Sequence, residues 1–172
     1  MHPVVTANID ALRHVTELID KASGEKYRQQ PPCGTSPIGR HIRHILDHFD
    51  ALRNGLEKGV VDYDQRNRDC ALETDAKLAK THTESIMDWL SQNAKIDRKL
   101  IIKTEVSTVL QQPVSVTSSL KRELVYLMNH TLHHSAYIAL LIRSLGEQVD
   151  ENIGVAPATQ NYISKHNLKQ VG

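Results

Sequence analysis

Six of the histidines in this chain fall into two clusters with helical spacing. One is His41, His44 and His48 in SPIGRHIRHILDHFDAL; the other is His130, His133 and His134 in RELVYLMNHTLHHSAYIALLIRSLG. Neutral imidazole is the commonest protein metal ligand, and side chains four residues apart on a helix are neighbours. Two such helices packed together can hold one ion between them. The competing reading is a set of hydrogen-bonded core histidines. Several buried imidazoles add their desolvation costs, and a shared metal resolves that cost.

At about 100° per residue, the apolar stripe of the first cluster's helix is Ile38, Ile45, Phe49, Leu52 and Leu56. His41 and His48 fall on its edge and His44 somewhat further round. On the other helix Leu120, Leu127, Ile138, Leu141 and Leu145 define the stripe. His130 and His134 lie within or beside it, as does Glu123, whereas His133 points away. The sequence contains no Glu-x-x-His, so a ferritin-like di-iron site is excluded, and no HExxH, so a zincin site is excluded too. What remains is a mononuclear, histidine-rich centre. Three histidines with an open position suit catalytic zinc, and imidazole accepts nickel or iron almost as well. Water chemistry at such a centre needs a base, for which Asp47 and Glu123 are the candidates. In the polar run DYDQRNRD, Arg66 or Arg68 could clamp a substrate carboxylate and Tyr63 could donate a hydrogen bond. Its alternative is an ordinary solvated loop.

Four stretches carry helical periodicity and must position these residues. The first is built on Val5, Ile9, Leu12, Val15 and Ile19 and ends at Ser23-Gly24. The second follows a QQPPCGTSP linker, with Ser36 as N-cap and Pro37 in its first turn, and runs to Leu56 before Gly59. The third carries Leu72, Leu78, Ile86 and Leu90; the fourth starts at Ser118-Ser119 and stops at Gly146. Between the third and fourth, KLIIKTEV and PVSVTS predict a small β-hairpin. The tail, with GVAPAT, is expected as a short helix or irregular segment folded over one end. Four amphipathic helices with one longer non-helical connection imply an all-α four-helix bundle with a small β-hairpin or irregular insertion between helices 3 and 4. The length of 172 residues fits a single domain over 1–172.

Composition narrows the partners. Lysine plus arginine number 21 against 20 acidic residues, a net charge of +1, so no basic field exists to attract nucleic acid or an anionic membrane. Aromatic content of 4% argues against a base-stacking surface. No apolar run approaches the roughly 20 residues of a membrane span. Cys33 and Cys70 have no metal-motif spacing and read as reduced thiols of a cytoplasmic protein. His2, His14, His82 and His166 belong to no cluster and are expected at the surface.

At the histidine clusters the sequence resembles the DinB/YfiT-like superfamily of metal-binding helical bundles. His130-Thr131-Leu132-His133-His134 is similar to that family's HxxxH motif, and His44-Ile45-Leu46-Asp47 to its single-histidine motif on the second helix. IGRHIRHILDH, DYDQRNRD with Glu73 after it, SSLKREL and GVAPAT are similar to phrases of a bacterial subgroup without an assigned reaction, so the likeness runs through nearly the whole chain. The resemblance implies His44, His130 and His134 as ligands, with His48 in reserve because the helical wheel sets it nearer the apolar centre. It also implies an unusual right-handed helix order and a homodimer.

Family resemblance further implies chemistry. Relatives include transferases joining low-molecular-weight thiols to electrophiles, thiol-dependent isomerases and a metal-binding domain of a sulfur-transfer enzyme. A coordinated thiol is deprotonated outright, giving a nucleophile that a free thiol mostly is not at neutral pH. The expected function is therefore a metal-dependent small-thiol S-transferase with a small-molecule substrate, zinc being the favoured ion. A metal-dependent hydrolase and a non-catalytic metal-binding or stress-related bundle protein are the alternatives.

Overall fold

The computed structural model describes residues 1–34, 36–65, 71–92, 97–109 and 112–167. The elements in chain order are α1 (Pro3–Lys21), α2 (Glu25–Arg28), α3 (Ile38–Leu56), β1 (Val60–Asp62), α4 (Ala76–Gln92), β2 (Lys99–Thr104), β3 (Val114–Ser119), α5 (Leu120–Ser144) and α6 (Pro157–Asn167). The protein is mostly helical with a small sheet. Four long helices, α1, α3, α4 and α5, surround one core. Both α1 and α3 pack against α4 and against α5.

Periodicity explains the core. Leu12, Val15 and Leu18 of α1, Ile42, Ile45, Phe49 and Leu52 of α3, and Leu127, Ile138 and Leu141 of α5 are all fully buried. These positions recur every three to four residues, so each helix turns one apolar stripe inward. Leu78, expected on such a stripe, is 43% exposed, and Leu72 lies in a 3-10 turn at Ala71–Glu73 before the helix. The Asp75 carboxylate accepts the Leu78 amide at 2.9 Å and starts α4 there instead. Likewise Pro37, rather than Ser36, is the cap residue of α3.

The insertion is more than the expected hairpin. β2 and β3 pair antiparallel, with Ile102 opposite Val116, but β1 joins β2 in parallel, so the order is β1-β2-β3. That third strand comes from the connection after α3. Gly55 permits it: a Cβ there would lie 2.4 Å from the Val60 carbonyl oxygen, so only glycine lets the strand run this close to the helix.

Ser119 caps α5 as expected, its hydroxyl accepting the Arg122 amide at 3.3 Å. At the other end the Gly146 amide bonds to the Arg143 carbonyl and the Glu147 amide to that of Ile142, a Schellman closure. The tail then folds back, burying Ile153, and ends in α6.

Candidate metal centre

α3 and α5 bring the histidine clusters face to face. His130 and His134 are one helical turn apart on α5, and their ring centroids lie 4.5 Å from one another. His44 of α3 reaches both, at 5.0 Å from His130 and 4.7 Å from His134. Each of the three offers a ring nitrogen, and these atoms all lie within 4.8 Å of one another. All three rings are half-buried, and His133 is exposed.

Electrostatics keep the pair on α5 neutral. Burial, followed by the neighbouring rings of His48, His134, His44 and His133, pushes the His130 pKa down to about 2. Burial and then His41, His133 and His48 push His134 to about 4. The neutral imidazole is the form that binds metal. His130 Nε2 and His134 Nδ1 are buried without a hydrogen-bond partner in the protein. A native core seldom tolerates such atoms, and a cation satisfies them. The donor set therefore fits a metal. Three imidazoles are one ligand short of a closed structural zinc site.

His48 is 5% exposed and touches the same cluster, 4.2 Å from His130 and 4.6 Å from His44 between ring centroids. Its Nδ1 lies 2.8 Å from the His44 carbonyl oxygen and donates to it. One of its two nitrogens is thus committed to the helix backbone. His41 flanks the cluster on the other side, 5.9 Å from His134 and edge-on to Tyr137, with a buried, unpartnered Nε2.

The two carboxylate candidates for a base are both engaged. Asp47 forms a buried ion pair with Arg43, which also reaches Glu73 in the 3-10 turn at 2.6 Å. Glu123, 1% exposed, accepts hydrogen bonds from Tyr63 at 2.8 Å, Ser118, and Arg122 at 3.3 Å. Tyr63 is buried just after β1, and burial with the adjoining Glu123 charge raises its pKa, so it stays a phenol. Its ring stacks on His48, 22° from parallel. Arg66 and Arg68, expected near the cleft, lie outside the described residues, as does Cys70.

Sequence reasoning missed Tyr126, which stacks on His130 at 5.7 Å. Its position one turn before His130 on the same helix was the available signal. Three histidines expected at the surface, His2, His14 and His82, are partly buried instead. His82 bonds to Asp50 at 2.7 Å, and the Nδ1 of His14 is buried.

Fold and centre together define a class, and comparison with known proteins gives it a name. The model of the DinB family matches residues 4–155, and the chain belongs to that family. Two relatives are similar in sequence. A Rhizopus delemar protein named FK506-binding protein 5 is 32% identical over 108 residues, which are 62% of this chain and 28% of that protein. The chain thus spans little more than a quarter of that relative's length. The Bacillus subtilis protein YjoA is 28% identical over 138 residues, 78% of this chain and 84% of its own. The crystal structure of this DinB-like YjoA superposes with a TM-score of 0.60 at 21% identity, over 86% of this chain and 95% of that one. At that identity the likeness is one of fold. Among the described residues no helix is long and apolar enough to cross a membrane.

Proposed function

We propose that this chain is a metal-dependent enzyme on a four-helix-bundle scaffold. It binds one divalent ion through His44, His130 and His134 and joins a low-molecular-weight thiol to a small electrophile. Zinc is the favoured ion, with nickel or iron as chemically acceptable substitutes. A homodimer, with a cytoplasmic location, belongs to the same reading. The observation that carries it is the convergence of three ring nitrogens within 4.8 Å of one another, two of the rings also holding buried nitrogens without protein partners.

When bound, the ion supplies the positive charge that holds a thiol as thiolate at neutral pH. For a halogenated acceptor, a sulfur electron pair forms the new carbon–sulfur bond as the carbon–halogen bond breaks. Halide leaves with its electron pair, and the thiol proton goes to water. The half-buried imidazoles of His130 and His134 stay neutral and available as ligands. Thiol transfer is preferred over hydrolysis because of what surrounds Asp47 and Glu123. A carboxylate already paired with a guanidinium, or already accepting three hydrogen bonds, is a poor proton acceptor.

The test is a screen of the metal-loaded protein with bacillithiol, mycothiol, glutathione and coenzyme A against halogenated electrophiles. The expected result is thiol consumption that depends on the electrophile and disappears in a folded His134→Ala variant. Product release without thiol would establish the hydrolase instead. Consumption unchanged in the variant would remove the metal from the chemistry.

A further inference from the structure

Beside the histidine cluster, a cavity of about 420 Å3 opens between the sheet and the first turns of α5. Sites for small organic molecules begin at about 300 Å3. The cross-strand pair Ile102 and Val116 forms part of its wall, and Tyr63 and Tyr126, with ring centroids 5.4 Å apart, supply aromatic surface. His48 lines it too, and both His48 and Tyr126 lie against the ring of His130. Two side chains of the cavity wall therefore touch a ring of the centre.

Each charged group in this wall already has a partner within the protein. Glu123 accepts from Tyr63, Ser118 and Arg122. Arg122 spans that carboxylate and the face of Tyr126, 5.6 Å from the ring centroid. Asp64, the remaining carboxylate, accepts the Glu105 amide at 2.6 Å. A charged ligand would lose hydration and compete with these pairs for a partner. An apolar or aromatic body would gain contact with Ile102, Val116 and the two tyrosines.

We infer that this cavity holds the electrophilic acceptor of the proposed reaction and that the acceptor is an uncharged molecule with an aromatic or apolar body. The inference rests on the functional reading above, so its test separates the two. Three unreactive probes share one ring and differ in charge: benzyl alcohol, benzoate and benzylamine. Each is titrated into the metal-loaded protein and followed by amide chemical shifts. Benzyl alcohol should saturate, and the two ions should bind at least about tenfold more weakly, since each must give up hydration without a matched partner.

Val116 is 49% exposed, so Val116→Trp can fill the cavity without disturbing the core. That variant and Thr104→Trp, at the same cavity, should each weaken benzyl alcohol at least about tenfold while keeping wild-type metal content. His134→Ala should do the reverse, losing metal and keeping the alcohol. Equal or tighter binding of either ion overturns the inference, as does undiminished binding in both tryptophan variants or no saturable binding at all. A protein that holds no metal yet takes benzyl alcohol in this pattern refutes the reaction and supports the ligand class of the cavity.

Discussion

His130 and His134 are held neutral by burial and by the imidazoles around them, and this has a consequence for pH. In the unfolded chain an imidazole takes up a proton near 6.5, whereas the folded protein refuses one until about 4 at His134 and about 2 at His130. Below 6.5 the unfolded state therefore binds more protons, and stability falls as pH falls. The contribution is complete above 6.5 and drains away towards each folded value; His41 is shifted in the same direction, chiefly by its own burial. Urea unfolding of the chelator-treated protein should show declining stability from pH 6.5 to 5, a window above the ordinary carboxylate range. Stability that is level or rising across that window would contradict the buried, neutral pair. Spacing alone brought these residues into view, because four residues along a helix is one turn. Spacing also holds the Arg43–Asp47 pair, four residues apart on one helix; what it could not reveal is that Glu123 is spoken for, since Tyr63 and Ser118 reach it from other elements.

Between elements, Arg43 matters most. It stands beside His44 on α3 and joins Asp47 on its own helix to Glu73 of the 3-10 turn, with side chains of Arg43 and Asp47 only 8% exposed. Removing one member of a buried pair strands the other's charge. Arg43→Met should thus cost about 3–5 kcal/mol of unfolding free energy in denaturant titration, and a loss below 1 kcal/mol would show that solvent reaches Asp47 freely. Long helices were legible in the sequence because their apolar residues repeat over many turns, and the hairpin because KLIIKT and PVSVTS alternate in β-branched stretches. β1 was not legible. Only three residues long, it pairs with a strand some forty positions later, and a parallel partner so distant leaves no local pattern. The one-turn α2 and the late start of α4 escaped for a related reason, being set by a few local hydrogen bonds.

For the molecule as a whole, the proposed ion would bridge α3 and α5, two of the four helices enclosing the core. Anything that binds the folded state and not the unfolded one adds stability. Adding a chelator should lower the melting temperature of the metal-loaded wild type and leave that of His134→Ala nearly unchanged. Equal shifts in both would mean that the chelator acts elsewhere. Balanced charge and a continuous apolar core identified a folded helical domain from composition and periodicity, while the sheet and the cavity beside it depend on contacts that only the folded chain displays.

The central claim is that three imidazoles from α3 and α5 grip one cation. Elemental analysis of protein purified from cells supplied with zinc, nickel and iron tests it most directly. The account predicts close to one divalent ion per chain in the wild type, and almost none in folded His44→Ala, His130→Ala or His134→Ala. A wild type without metal, or variants that retain it in full, would contradict the account.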